Sequence, residues 1–183
     1  MRELSGKTLG IIGMGALGSG VTDVARAFNM RVIAAKLPWR NTRAQQNVSH
    51  SAPRLPLHEL LQQSDIISLH CPLNEDTRHL IDAAALEAMR RDALLINTAR
   101  GGLIDCPALL NALELEEIGG AGIDVLEEEP PRNGHPLLAA DLPNLIVTPH
   151  IAWSAREARQ RALDEIVLNI TAFAAGEERN RII

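Results

Sequence analysis

Apolar residues gather in six short runs: "TLGII" (8–12), "RVIAA" (31–35), "DIISL" (65–69), "ALLIN" (93–97), "GAGIDV" (120–125) and "NLIVT" (144–148). Each run is nearly continuous rather than alternating, the pattern of strands covered on both faces. Between the runs the period changes to that of helices. Leu17, Val21, Val24, Ala25 and Phe28 recur at helical spacing in "ALGSGVTDVARAF", and "LHELLQQ" (57–63) and "AAALEAMRR" (83–91) predict short helices. Pro107 opens a helix over "ALLNALELEE" that Gly119-Gly120 should end. A longer helix is expected from about Ser154 to Ala175, with Gly176 as its C-cap. Strands alternating with helices predict an α/β protein with a doubly wound parallel sheet, the Rossmann architecture.

Residues 37–56 carry three prolines and no period, and read as a long loop. The sharpest boundary falls near His150, where the sheet ends. The expected division is a dinucleotide-binding domain over 1–152 and a C-terminal helix and tail over 153–183.

Composition narrows this picture. Aromatic residues make up 2% of the chain and tyrosine is missing, so the core must be built from Ala, Leu, Ile and Val. The lack of tyrosine also excludes the Tyr-Lys acid/base pair of short-chain dehydrogenases. The net charge is −5 and the basic residues form no long run, which argues against nucleic acid as a partner. No apolar stretch is long enough for a membrane span, and the N-terminus has no signal-peptide core. Cys71 and Cys106 form no C-x-x-C pair and read as buried or incidental thiols of a reducing compartment. The expected location is the cytoplasm, and no metal site is expected.

"GIIGMGALGSG" contains Gly13-Met14-Gly15-Ala16-Leu17-Gly18, a G-x-G-x-x-G between a strand and a helix. In that context Gly13 makes a tight turn, Gly15 lets backbone approach a pyrophosphate, and Gly18 lets the helix pack on its strand. Backbone N–H groups at the helix start then face the phosphates. At the tip of the second strand, where an acid would bind the ribose hydroxyls, the chain has Lys36. A lysine there favours a 2′-phosphate and so tilts the expected cofactor, NAD(P)(H), toward NADP(H). Arg40 and Arg43 could add to that tilt if their loop folds back.

Four further segments follow in order: "LHCPLNEDTRHLI" (69–81), "LLINTARGGLID" (94–105), "GGAGIDVLEEEPP" (119–131) and "NLIVTPHIAW" (144–153). With the glycine turn, they resemble the D-isomer-specific 2-hydroxyacid dehydrogenases over essentially the whole chain. The closing "PHIAWSAREARQRALDEIVLNITAFAAG" looks most like the hydroxypyruvate reductase/glycerate dehydrogenase branch. The implied activity is hydride transfer between NAD(P)(H) and a small 2-hydroxy or 2-oxo acid, hydroxypyruvate- or glyoxylate-like.

Such chemistry needs a cation for the carboxylate and a proton for the alkoxide. Arg100, just past a strand end, suits the first, with Gly101-Gly102 leaving room beside it. His150 suits the second. Glu127, Glu128 and Glu129 are each candidates for a carboxylate that would orient the histidine. The resemblance selects Glu129, the residue directly before the prolines. It also implies that Gly13, Gly15, Ala16, Leu17 and Gly18 hold the cofactor. Pro72 and Thr77 would line its adenosine and pyrophosphate side, with Cys71 in the same wall. Thr98, Ala99, Arg100, Asp124 and His150 would lie at the nicotinamide end.

The resemblance also implies a substrate-binding region ahead of the first strand, a region this sequence does not contain. The expectation is a weakly active or inactive chain whose last helix would normally join that region. Family members usually pair through this domain, so a homodimer is expected. A non-catalytic dinucleotide-binding or interaction module of the same descent is the open alternative.

Overall fold

The computed structural model describes residues 3–37 and 52–181. The chain divides into two compact units, Met1–Pro149 and His150–Ile183. The first holds seven strands: β1 (Thr8–Ile12), β2 (Arg31–Ala35), β3 (Arg54–Leu55), β4 (Ile66–Leu69), β5 (Leu94–Asn97), β6 (Gly120–Ile123) and β7 (Leu145–Val147). They form one sheet in the order β3-β2-β1-β4-β5-β6-β7, with every pairing parallel. The doubly wound parallel sheet expected from the apolar runs is the fold observed. β3 was not foreseen. It has two residues, lies between Pro53 and Pro56, and pairs only along one side, as an edge strand can.

Among the described residues five α-helices accompany the sheet: α1 (Ala16–Ala27), α2 (Leu57–Gln63), α3 (Ala83–Glu87), α4 (Cys106–Glu114) and α5 (Pro136–Ala139). Their starts follow local chemistry. Asp82 and Asp105 cap α3 and α4 by accepting from the N–H of Ala85 (2.8 Å) and Ala108 (3.2 Å). α4 stops at Glu114, short of the expected Gly119-Gly120; Leu115 is its C-cap, and Glu116 turns the chain with φ of 52°.

Coverage of the sheet is unequal, contrary to the expectation from continuous apolar runs. On one face Ile12, Ile33, Ile67 and Leu95 pack with Leu60 and Leu61 of α2, Leu86 of α3 and Leu109 of α4. On the other, Leu9, Ile11, Val32 and Ala34 meet Ala25 of α1. The cause is topological. Parallel crossovers share one hand. Every step from β3 out to β7 therefore puts its connection on one face, and α1, which steps the opposite way, lies on the other. Leu94 and Ile146, on the α1 side of β5 and β7, remain exposed, Ile146 to 68%.

α1 is also rotated relative to its apolar stripe. Gly18, Thr22 and Ala25 are buried, whereas Leu17 is 77% and Phe28 57% exposed. A Cβ on Gly18 would collide with the Gly13 carbonyl, so only small residues fit against β1. Leu17, Val24 and Phe28 stand about a quarter turn away. Helical spacing located the helix but not its buried face.

The second unit holds α6 (Arg156–Ala174), which Gly176 follows with φ of 74°. Arg179 pairs with Glu165 at 2.8 Å, tying the tail to this helix. Leu163, Ile166, Val167 and Ile170 form an exposed stripe along it. Cys71 and Cys106 are both buried thiols outside any disulfide. Burial, the nearby Glu127 and then Asp105 push the Cys106 thiol up from its ordinary value.

His70 follows β4, and its Nε2 shares a hydrogen bond with Ser68 Oγ at 2.9 Å. Burial lowers its pKa from the ordinary 6.5. The unfolded chain thus takes up a proton that the folded chain refuses, and stability is lost as pH falls below that value. The melting temperature is expected to drop as pH is lowered below 6.5. His70→Asn, which cannot take up the proton, should flatten the drop. An equal drop in the variant would contradict this origin.

Candidate cofactor and active site

The sheet register gathers the site. Ile12 pairs with Leu69, Leu69 with Asn97, Asn97 with Ile123, and Ile123 with Val147. One residue beyond this row stand Gly13, His70, Thr98, Asp124 and Thr148. Ile11 pairs with Ala34, which brings Lys36 to the same level beyond β2. The sheet order reverses direction between β1 and β4, the position where open parallel sheets bind ligands.

Gly13 lies at that reversal with φ of 108°, and a Cβ there would come within 2.5 Å of the Cys71 nitrogen. Gly18 is demanded by the Gly13 carbonyl. Gly15 differs: a Cβ would meet nothing within 4 Å. Packing therefore does not require glycine at this position, but close approach of a ligand to the backbone would. Gly15 is the N-cap of α1, with no side-chain cap and no acidic residue in the first turn. A helix start left this way suits a pyrophosphate. The residues present fit a dinucleotide.

Pro72 is exposed, and its carbonyl accepts from the Thr77 hydroxyl at 2.7 Å. Thr77 itself is 0% exposed, and its hydroxyl also accepts from the Asn74 N–H at 2.8 Å. It was expected in the pocket wall. Its side chain is instead turned into the loop, where it shapes the segment that bears Pro72. Cys71, expected in the same wall, belongs to the core.

Beyond β5, Thr98 and Arg100 are exposed. Arg100 Nη1 donates to the Ala99 carbonyl at 2.6 Å, and the fork has further donors for a carboxylate. Gly101 was expected to leave room for ligands. Its Cβ would instead strike the Leu126 backbone, and a Cβ on Gly102 would come 3.0 Å from the Leu73 side chain. Both glycines allow neighbouring loops to pack. Asp124 is buried and accepts from Thr148 Oγ1 at 2.5 Å, while its N–H donates to the Asn97 carbonyl at 2.9 Å.

In the acidic run, Glu129 is exposed and accepts from the Leu126 N–H at 2.7 Å. Glu127 lies 3.1 Å from His79 Nε2 and 3.7 Å from Arg78. His150 opens the second unit, with φ of 53°, and its carbonyl accepts from Trp153 Nε1 at 2.8 Å. The structure thus groups the glycine turn, Thr98, Arg100 and Asp124 along one sheet edge, and His150 is described within its own unit.

Two residues went unnoticed in the sequence. Asn97, the last residue of β5, is fully buried and bonds both sides of the Arg100 loop. Arg54 of β3 reaches the Ala35 carbonyl at 3.5 Å, next to Lys36. Lys36 is exposed, and its N–H donates to the Leu55 carbonyl at 2.7 Å. Arg40 and Arg43 lie outside the described residues. A groove of about 340 Å³ at the opposite sheet edge, lined by Lys7, Asp65 and Asp92, lacks these features. There Asp65 is engaged by the Thr8 N–H at 2.8 Å and by Lys7 and Arg90. Among the described residues no His/Cys/Asp/Glu group could hold a metal, and no helix is long and apolar enough to cross a membrane.

Residues 1–152 match the family model described as D-isomer specific 2-hydroxyacid dehydrogenase, NAD binding domain. The chain belongs to this dehydrogenase family. It is 48% identical over 178 residues to a glycerate dehydrogenase from Methylorubrum extorquens, covering 97% of this chain and 53% of that one. An acyclic imino acid reductase in complex with NADPH and D-arginine superposes with a TM-score of 0.85 at 38% identity, over 100% of this chain and 55% of its own. An NAD-complexed 2-hydroxyacid dehydrogenase from Lactobacillus delbrueckii ssp. bulgaricus gives 0.86 at 30% identity, over 100% and 57%. The chain therefore spans about half the length of the relatives it matches.

The glycines of the turn make separable predictions. Gly18→Ala should cost at least about 2 kcal/mol, because backbone must move to admit the methyl. Gly15→Ala should leave the melting temperature within about 2 °C and weaken NAD(P)H binding about tenfold or more. Unaltered affinity in Gly15→Ala, measured by calorimetry, would remove the pyrophosphate from this turn.

Proposed function

We propose that this chain is the cofactor-binding part of a reductase that transfers hydride between NADP(H) and a small 2-oxo or 2-hydroxy acid of the hydroxypyruvate or glyoxylate kind. The observation that carries the reading is the shared strand-end row, which aligns the open Gly15 turn with Arg100 and Asp124. When bound, the nicotinamide supplies the hydride. Arg100 holds the substrate carboxylate and polarises its carbonyl. His150 keeps the acid/base role, and Glu129 the orienting role, that the family resemblance gives them. Pro72, Thr98, Ala99 and Asp124 serve as cofactor contacts, and Thr77 shapes the loop that carries Pro72.

The preference for the 2′-phosphate rests on charge. Relatives are solved with NAD and with NADPH, so the family alone does not choose. Lys36 stands at the tip of β2, and Arg54 reaches the carbonyl just before it. Two cations at this tip favour a phosphate over a bare ribose, and salt will weaken the preference. We assign the domain as 1–152 and the remainder as a terminal helix and tail. We also assign the protein to the cytoplasm. A homodimer is part of the proposal, and the exposed row of Leu17, Val24 and Phe28 supplies apolar surface for it.

The test is a calorimetric titration of the chain with NADPH and with NADH, followed by oxalate on the loaded chain. NADPH is expected to bind about fivefold tighter or more, and Lys36→Asp should abolish or reverse the difference. Oxalate should bind the loaded chain and lose about tenfold in Arg100→Ala. NADH binding about fivefold tighter than NADPH would contradict the cofactor preference, and oxalate binding indifferent to Arg100 would contradict the substrate reading.

A further inference from the structure

Arg100 stands between the end of β5 and a single 3-10 turn over Gly101–Leu103, whose Leu103 N–H donates to the Arg100 carbonyl at 3.3 Å, and its guanidinium must be held at a defined place. Asn97 gives it a frame. The Asn97 side chain is 0% exposed, and both ends of its amide are used. Oδ1 accepts from the Ala99 N–H at 3.0 Å, and Nδ2 donates to the Arg100 carbonyl at 2.8 Å. The two bonds grip the backbone on either side of the Ala99–Arg100 peptide. The Asn97 main-chain carbonyl also accepts from the Asp124 N–H at 2.9 Å. One residue thus ties the Arg100 loop and the Asp124 loop to the same strand end.

We propose that Asn97 is a positioning residue: its buried amide sets the backbone of residues 98–100 and, through it, the place of the Arg100 guanidinium. This rests on the reading of Arg100 as the carboxylate-binding cation. The residue type is restricted by chemistry. An aspartate can accept from Ala99 but cannot, when ionised, donate to the Arg100 carbonyl, and it would place a charge against that oxygen. A serine is too short to span both partners. An alanine would remove the acceptor of the Ala99 N–H and leave the Arg100 carbonyl with only the 3.3 Å bond from the Leu103 N–H, so the backbone between them loses its brace.

The test compares Asn97→Asp, Asn97→Ala, Arg100→Ala and the double variant N97D/R100A, all in the full 183-residue chain. Thermal melts confirm that each is folded, and Asn97→Asp, close in volume, serves should Asn97→Ala unfold. The first readout is amide hydrogen exchange at Ala99. Asn97→Ala should speed it about tenfold or more, whereas Asn97→Asp, which retains the acceptor, should protect it nearly as well as the parent. The second readout is oxalate binding to the NADPH-loaded chain. Asn97→Asp should weaken it about tenfold, and N97D/R100A should bind no more weakly than Arg100→Ala alone, because Asn97 acts through Arg100.

Losses that add in the double variant would show a general structural effect and overturn the proposal. So would parental oxalate affinity in Asn97→Asp, or unchanged Ala99 exchange in Asn97→Ala. If oxalate ignores Arg100 altogether, it is the Arg100 reading that fails, and the exchange data decide whether Asn97 orders the loop.

Discussion

Ile12, Leu69, Asn97, Ile123 and Val147 stand side by side in one row of the parallel sheet, and everything functional follows from where that row ends. Parallel pairing forces every strand to finish at the same edge. Each connection must then leave that edge, cross a face and return to the opposite one. The loops that depart are therefore neighbours although they are far apart in sequence. Gly13, Thr98 and Asp124 are separated by dozens of residues in sequence, yet Thr98 lies two strand spacings from Gly13 and one from Asp124. Chemistry that needs a phosphate cradle, a cation and a carboxylate together finds them there because backbone pairing brings the loops to one edge.

The row also explains which glycines are structural. Gly13 and Gly18 press the turn and α1 onto the ends of β1 and β4, and neither can carry a side chain. Gly15 has open space above it, which in the proposed reading the dinucleotide fills. Gly101 and Gly102 look like ligand-facing glycines in the sequence, but they accommodate the Leu126 backbone and the Leu73 side chain. The same motif thus contains two positions answering to packing and one that packing leaves open. Only the surroundings of each Cβ tell them apart.

Strand positions were legible in the sequence because apolar runs of five residues between turn signals leave few alternatives. β3 was not, since two residues between prolines carry no period, and with it went the position of Arg54. The buried face of α1 was also illegible. The apolar stripe of Leu17, Val24 and Phe28 has the spacing of a core face, yet the backbone approach at Gly18 gives that place to small residues. At the site, residue types with obvious chemistry, such as Arg100 and Lys36, could be picked out by position. Asn97 could not, and Thr77 was picked out for a cofactor contact and not for its bracing of the loop, because a buried polar side chain that braces a loop looks in the sequence like any strand-end or loop residue. Their role appears only when their hydrogen bonds do.

The central claim is that the dinucleotide lies along the strand-end row and enters through the Gly15 turn. Mapping backbone amide shifts during titration with NADPH tests it most directly. The account predicts that the largest changes fall on Gly13 to Leu17, on Thr98 to Arg100 and on Asp124, while Lys7, Asp65 and Asp92 at the opposite edge stay unchanged. Changes centred on Lys7, Asp65 and Asp92, with the glycine turn silent, would contradict it.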